Sequence, residues 1–167
     1  GDVAALDEDD ICRTLMGLVI GMVETTSQAA IQALLVLFSR PEALAAAAAA
    51  AKADDDEALA QLVFEALRFR PINPMVVRVA LEDYRLAAGS AHRKLIRKGT
   101  TIFAMTWSAM LDPRVVEAPE EFRPGRPESH YLHFATGRHA CYGRYISRIQ
   151  IPQILKPLLR LDGLRPA

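Results

Sequence analysis

Polar and apolar positions divide the chain into unequal stretches. After a polar start, Asp7-Glu-Asp-Asp10 places acids where the positive end of a helix dipole favours them. From Ile11 to about Phe38 the spacing is helical and apolar nearly all round, through Leu15, Met16, Leu18, Val19, Ile20, Met22, Val23, Ala29, Ile31, Leu34 and Leu35. A helix with no polar face predicts burial through the middle of a protein. Cys12, on an apolar face of that helix, reads as a core residue. Arg40-Pro41 opens a second helix with proline at its first position, and alanines 45–51 continue it with high helix propensity. Asp54-Asp-Asp56 separates it from a third helix running to about Phe69.

Beyond Pro71 the texture changes to prolines, turn signals and short alternations. Met75-Val-Val-Arg-Val-Ala-Leu and Thr100-Thr-Ile-Phe-Ala-Met predict short strands. A closing helix is predicted over about Tyr142 to Arg160, with a break near Pro152, because proline inside a helix removes a hydrogen bond and clashes with the preceding turn.

Composition adds limits. Of 167 residues, 51% are hydrophobic and 24% charged, with 20 basic and 20 acidic side chains, as in an ordinary globular chain. Zero net charge gives no electrostatic reason to expect nucleic acid or an anionic membrane as partner. The apolar run from Leu15 to Val23 is shorter than a bilayer span, so neither a membrane anchor nor a secretory leader is expected. Cys12 and Cys141 sit in unlike contexts and suggest no disulfide, which suits a reducing cytoplasm.

Two stretches carry candidate chemistry. Phe134-Ala-Thr-Gly-Arg-His-Ala-Cys-Tyr-Gly143 surrounds one cysteine with Gly137 and Gly143 and leads into the closing helix. A thiol binds metal as thiolate, and its free pKa is about 8.5. Backbone N–H groups freed by glycine and the positive end of a following helix could both stabilise that charge. A lone cysteine suits one axial bond to iron rather than a tetrahedral zinc site. From the residues alone, a buried apolar thiol in a turn is the other reading. The second stretch is Gly21-Met-Val-Glu-Thr-Thr26 inside the long apolar helix. A carboxylate there is unfavourable unless paired or functional, so Glu24 is either a working group or a solvated one. The Thr25 hydroxyl, one turn beyond Gly21, can bond the Gly21 carbonyl and locally open the helix. His92, His130 and His133 form no metal-ligand spacing and are given no role.

The cysteine stretch resembles the heme-binding loop of the cytochrome P450 superfamily, F-x-x-G-x-x-x-C-x-G, through Phe134, Gly137, Cys141 and Gly143. Ala135 departs from it, standing where a second glycine is usual. Gly21 to Thr26 resembles the family's oxygen-activation segment A/G-G-x-D/E-T-T/S, with Met22 in place of its second glycine. Glu65-Ala-Leu-Arg68 resembles E-x-x-R, and Phe122-Arg-Pro-Gly-Arg126 resembles F-x-P-x-R. Ile96-Arg-Lys-Gly-Thr-Thr-Ile102 resembles the I-P-K-G-T-x-V hairpin, and Ser108 to Pro113 a following turn.

The resemblance implies a mainly α fold with small β-sheets, the cytochrome P450 fold, and heme b as cofactor. It implies Cys141 as axial ligand of the heme iron, and Arg78 and His139 on the heme propionates. Phe134, Gly137 and Gly143 would shape the heme loop, Gly21 would leave room over the heme, and Glu24 and Thr25 would deliver protons. Glu65, Arg68 and Arg126 would form a structural network beneath the heme, and Ile72 to Val77 would line its substrate side. For Arg78, the residues alone allow a surface arginine at a strand edge equally well.

Family members are usually more than twice this long, and the chain begins with Gly1. It is therefore expected to be a C-terminal portion lacking the N-terminal half, or a naturally short relative. The missing part of the fold would carry the large sheet and much of the substrate pocket. Within the chain, residues 1–40 are expected to be the long central helix, and 41–70 two helices ending in E-x-x-R. Residues 71–130 would hold short strands and a meander, and 131–167 the cysteine loop and last helix.

The implied activity is monooxygenation of a small hydrophobic organic substrate, with electrons from a ferredoxin and its reductase. The alternatives are a peroxide-using hydroxylase or hydroperoxide isomerase of the same fold, or a truncated heme-binding module without turnover.

Overall fold

A computed structural model describes residues 7–165; residues 1–6 and 166–167, the outer ends of the first and last expected segments, lie outside it. The first helix, α1 (Glu8–Phe38), is capped by Asp7, whose carboxylate accepts from the Asp10 backbone N–H at 2.7 Å. Helices α2 (Pro41–Lys52) and α3 (Asp56–Phe69) follow, the latter capped by Asp55. Four short strands come next: β1 (Val76–Val79), β2 (Tyr84–Leu86), β3 (Lys94–Ile96) and β4 (Thr101–Ala104). A five-residue helix, α4 (Thr106–Met110), precedes an irregular stretch, and α5 (Arg144–Leu159) closes the order.

The core is helix on helix. Ala29, Ala30, Ala33, Val36 and Leu37 of α1 meet Leu59, Leu62, Val63, Ala66 and Leu67 of α3, with Ile151, Leu155 and Leu159 of α5. The polyalanine of α2, uninformative as a sequence, contributes a buried row of Ala43, Ala47, Ala50 and Ala51. That row recurs at helical spacing, and side chains of one carbon let the backbones approach closely.

Three expectations need correction. The first is burial of α1. Ile11, Leu15, Met16, Val19, Ile20, Met22 and Val23 are exposed, Val23 at 62%, and buried positions begin only at Thr26. Cys12 is exposed as well, not a core residue. The physical reason is that no described element lies against the N-terminal half of the helix. Its most apolar 18-residue window has a mean hydropathy of 1.3, so α1 as a whole, unlike Leu15–Val23 alone, is long and apolar enough for a membrane span. The core helix of a globular protein passes the same test.

The second correction is the predicted break at Pro152, since α5 runs unbroken through both Pro152 and Pro157. Interior proline costs about 3 kcal/mol, and tertiary contacts oppose it here. Pro152 is buried along with Ile151 and Leu155, Lys156 reaches Asp54 at 2.8 Å and Asp56 at 2.5 Å, and Arg160 Nε donates to the Ala51 carbonyl at 2.8 Å. Third, residues 96–102 are not a hairpin. β4 pairs antiparallel with β1 (Val76 opposite Ala104), whereas β3 pairs with β2 (Tyr84 opposite Ile96). The segment links two separate sheets, held by the Lys98 N–H on Asp83 and the Gly99 N–H on the Ala80 carbonyl, both at 2.8 Å.

Candidate functional site

The cysteine loop is closed by its own backbone. The Cys141 N–H donates to the Phe134 carbonyl at 2.8 Å, and a single 3-10 turn, Gly137–His139, lies between them. Two residues in it take left-handed backbone angles, Ala135 at φ +53° and Gly137 at φ +68°. Glycine adopts this region freely, whereas an L side chain there costs roughly 1–2 kcal/mol. Ala135, the departure from the motif, therefore stands where the backbone favours glycine. Gly143 has an ordinary φ of −79°. A Cβ on it would lie 3.9 Å from the Cys141 sulfur, an ordinary contact, so the loop's shape does not demand glycine there.

The thiol of Cys141 is free and exposed, which corrects the buried-thiol reading. α5 starts three residues later, and its first-turn N–H groups supply the positive end of a dipole beside the sulfur. His139 is exposed, while the Phe134 ring is half-buried against Phe64 at a centroid distance of 5.8 Å.

On α1 the Thr25 hydroxyl donates to the Gly21 carbonyl at 2.5 Å. The segment stays α-helical, so the bond forms without a break in the helix. A Cβ at Gly21 would meet nothing within 4 Å, which leaves open space beside this turn. Glu24 is exposed and accepts from Gln28 Nε2 at 3.1 Å. The apolar burial expected for it is absent among the described residues. Arg78 on β1 is exposed, its Nη1 donating to the Val77 carbonyl at 2.7 Å, and Met75 and Val77 nearby are exposed too. Among the described residues, no hydrogen bond or ion pair joins Cys141, His139, Arg78, Glu24 and Thr25 to one another.

The third group is brought together completely. Glu65 and Arg68, both 0% exposed, pair through two bonds: Nη2 to Oε1 at 2.8 Å and Nε to Oε2 at 3.1 Å. Arg126 Nε reaches the same Glu65 Oε1 at 3.3 Å. The guanidinium groups spend their other protons on backbone carbonyls, Arg68 on Met110 and Glu121, Arg126 on Glu117, Ala118 and Glu121. Two members were not visible in the motifs: the Tyr131 hydroxyl donates to Glu65 Oε2 and the Arg123 N–H to Oε1, each at 3.0 Å. Burial, then the Glu65 charge, holds the Tyr131 phenol above its usual range. No fixed offset from the arginines marks Tyr131 in one dimension. It falls in place because the chain returns past α3 on its way to the cysteine.

His133 continues that return. Its Nε2 lies 3.0 Å from the Phe64 carbonyl, and its ring packs on Tyr131 and Phe64. Desolvation pushes its pKa down to about 4, which keeps the imidazole neutral. This is a satisfied structural histidine. A groove of about 610 Å³ opens beside it, lined by Phe64, Arg126, Tyr131, Phe134, Arg148 and Ile149; Cys141 is not part of its wall.

The donor set fits a heme. Among the described residues no group of three or more His, Cys, Asp or Glu side chains gathers to hold a bare ion. One exposed thiol at a helix N-terminus can still supply the fifth ligand to an iron already held by a porphyrin. A mainly helical fold with one exposed thiol at a helix N-terminus is compatible with a heme-thiolate protein.

Comparison with known proteins agrees. The family model for cytochrome P450 matches residues 1–161, and the chain belongs to the cytochrome P450 family, whose cofactor is heme b. It is 31% identical over 173 residues to nocardicin C N-oxygenase of Nocardia uniformis subsp. tsuyamanensis, covering 99% of this chain and 41% of that protein. It is 40% identical over 80 residues to linoleate diol synthase of Gaeumannomyces graminis, which is 48% of this chain and 7% of that one. Among solved structures, P450BioI in complex with hexadec-9Z-enoic acid ligated acyl carrier protein superposes with a TM-score of 0.81 at 28% identity, covering 97% of this chain and 40% of that one. The mainly α architecture with small antiparallel sheets is thus that of the family, and the chain spans well under half the length of the relatives it matches.

Proposed function

We propose that the chain supplies the iron-ligating and oxygen-handling portion of a heme-thiolate monooxygenase acting on a small hydrophobic organic substrate. The observation that carries this is the exposed Cys141 thiol, presented by a closed loop at the start of α5 in a chain of this family. Bound heme b supplies an iron that activates dioxygen, and a thiolate ligand favours O–O cleavage. The remaining work falls to side chains. Cys141 would hold the iron through Sγ, aided by the α5 dipole. Phe134, Gly137 and Gly143 would shape the loop that receives the heme, and Arg78 and His139 would pair with its carboxylates. Thr25, whose hydroxyl donates to the Gly21 carbonyl, keeps oxygen lone pairs for ordered water, and the exposed Glu24 would take up a proton from solvent and pass it on to that water. The Glu65, Arg68 and Arg126 network holds the layer under the loop.

The exposed apolar half of α1 is the surface on which the rest of the family fold would pack. The share of each relative that the chain spans supports this. Electrons would come from a ferredoxin and its reductase, in the cytoplasm. A second reading is a peroxide-using hydroxylase or hydroperoxide isomerase. It is favoured by the 40% identity with a relative named for making a linoleate diol, and by Met22 and Ala135.

The test is heme reconstitution followed by reduction under carbon monoxide. A thiolate-type Soret band that disappears in Cys141→Ala is expected; a band of any other ligation overturns the proposal. Comparing turnover on NAD(P)H with redox partner against turnover on peroxide separates the two readings.

A further inference from the structure

From Arg85 to Lys98 the chain carries Arg85, Arg93, Lys94, Arg97 and Lys98 and no acid, although its formal charge sums to zero. This stretch is the hairpin of β2 and β3, a sheet of its own in which every strand residue except Ile96 is exposed. Register sorts its residues by face, because residues opposite one another point to the same side of a pleated pair. Tyr84 and Ile96 share one side with Leu86; Arg85 and Leu95 share the other. The first side is the one that further protein would cover, and the arginine side is left to solvent.

Arg85, Ala88, Gly89, Arg93, Lys94 and Leu95 line a hollow of about 400 Å³. Its wall holds cations and no acid. Asp83, just before β2, is committed to Arg97 at 3.8 Å and to the Lys98 N–H at 2.8 Å. Among the described residues, no hydrogen bond or ion pair engages the side chains of Arg85, Arg93 or Lys94. The loop that returns Arg93 beside Arg85 is tied by Ser90. The Ser90 N–H and hydroxyl donate to the Ala87 carbonyl at 3.1 and 3.0 Å, its Oγ accepts from the His92 N–H at 3.1 Å, and its carbonyl accepts from the Arg93 N–H at 3.3 Å.

Gathering like charges is unfavourable, and one anion in the hollow offsets all of them. A guanidinium fork matches two oxygens of an oxyanion. Convergence on one hollow suits a compact, multiply charged group, whereas an acidic helix or a nucleic-acid backbone calls for a stripe of cations. We propose that the β2–β3 hairpin binds a compact phosphate group, held by Arg85 and Arg93 with Lys94 as the third charge. The site uses no residue of the cysteine loop and stands whether or not the chain carries heme.

The test is a titration of the full chain with inorganic pyrophosphate at constant ionic strength, followed by ¹⁵N spectra. Saturable shifts confined to the amides of 88–94 and to the Arg85 and Arg93 side chains are expected. Arg85→Gln and Arg93→Gln should each weaken binding about tenfold. Arg97→Gln, whose guanidinium already serves Asp83, should change it by less than about twofold. Ser90→Ala keeps every charge and should weaken binding by loosening the loop. Vesicles containing phosphatidic acid distinguish the source of the phosphate: co-sedimentation that Arg85→Gln abolishes means a lipid headgroup, and pyrophosphate binding without it means a soluble ligand. Equal losses in the three arginine variants would mean a diffuse field only and overturn the proposal. So would shifts that do not saturate, shifts centred on Arg138 and Arg144, or tighter binding of hexaglutamate than of pyrophosphate. The arginines are exposed and their variants should fold; if one does not, the position of the wild-type shifts decides.

Discussion

The network around Glu65 and the loop around Cys141 are joined by a few residues of chain and are built on opposite terms. Glu65 accepts from Arg68, Arg126, Tyr131 and the Arg123 N–H, with both oxygens engaged and no exposed surface. Cys141 offers solvent a free thiol on a loop that one backbone bond closes. The first is satisfied within this chain, whereas the second leaves its sulfur open to whatever it meets. Buried charge is stable only when fully paired, and a reactive thiol is useful only when it is not.

If that division is correct, stability and chemistry should separate on mutation. The largest loss of stability is expected from Glu65→Ala, which strands two buried guanidinium groups; removing one partner of a buried pair costs about 3–5 kcal/mol. Chemical denaturation should show this in the chain without heme, and recovery of a stable holoprotein from Glu65→Ala would break the contrast.

Next comes the neutral His133, which predicts acid sensitivity. Its folded pKa, about 4, lies below the unfolded value near 6.5. The unfolded chain therefore takes up a proton that the folded chain refuses. Full stability is present above about pH 6.5 and falls on acidification toward pH 4, by up to about 1.4 kcal/mol per pH unit. In His133→Gln the part of this slope between about pH 6.5 and 5 should vanish, leaving below it the loss from ion-paired aspartates such as Asp112, held to about 2 by Arg114. A wild type whose stability is flat over that upper window would show that the ring is not held neutral.

A smaller effect is expected in the loop itself. Ala135→Gly should stabilise by about 0.5–1 kcal/mol, the relief of a left-handed alanine less the added freedom of the unfolded chain. A melting midpoint that falls instead would mean that the loop does not hold the observed backbone. The smallest change in stability, within about 0.5 kcal/mol, is expected from Cys141→Ala, since an exposed thiol has little packing to lose. The same variant should lose thiolate ligation entirely, and a retained thiolate-type band would remove the basis of the functional proposal.

Motif residues were legible because their chemistry depends on chain spacing. Glu65 and Arg68 pair across a single helical turn, and the cysteine loop closes over the eight residues from Phe134 to Cys141, so local geometry carries both into the sequence. The acidic first turn at Asp7 to Asp10, proline at the first position of α2 and the aspartates before α3 were legible for the same reason, as signals for a helix start act over three or four positions. Tyr131 and the carbonyls of Met110, Glu117, Ala118 and Glu121 were not, because their place beside two arginines comes from long-range packing. The link over 96–102 was misread because strand pairing is chosen by partners far along the chain.

By itself, then, the sequence determined which family this chain belongs to and where its second and third helices open, since those properties rest on contacts within a turn or a short loop. Only the tertiary structure decided that α1 is buried along its second half alone and that α5 survives two prolines. It alone decided, too, that Glu65 accepts from a tyrosine as well as two arginines. Burial is a property of what lies opposite a surface, and a periodic pattern records the surface without its partner.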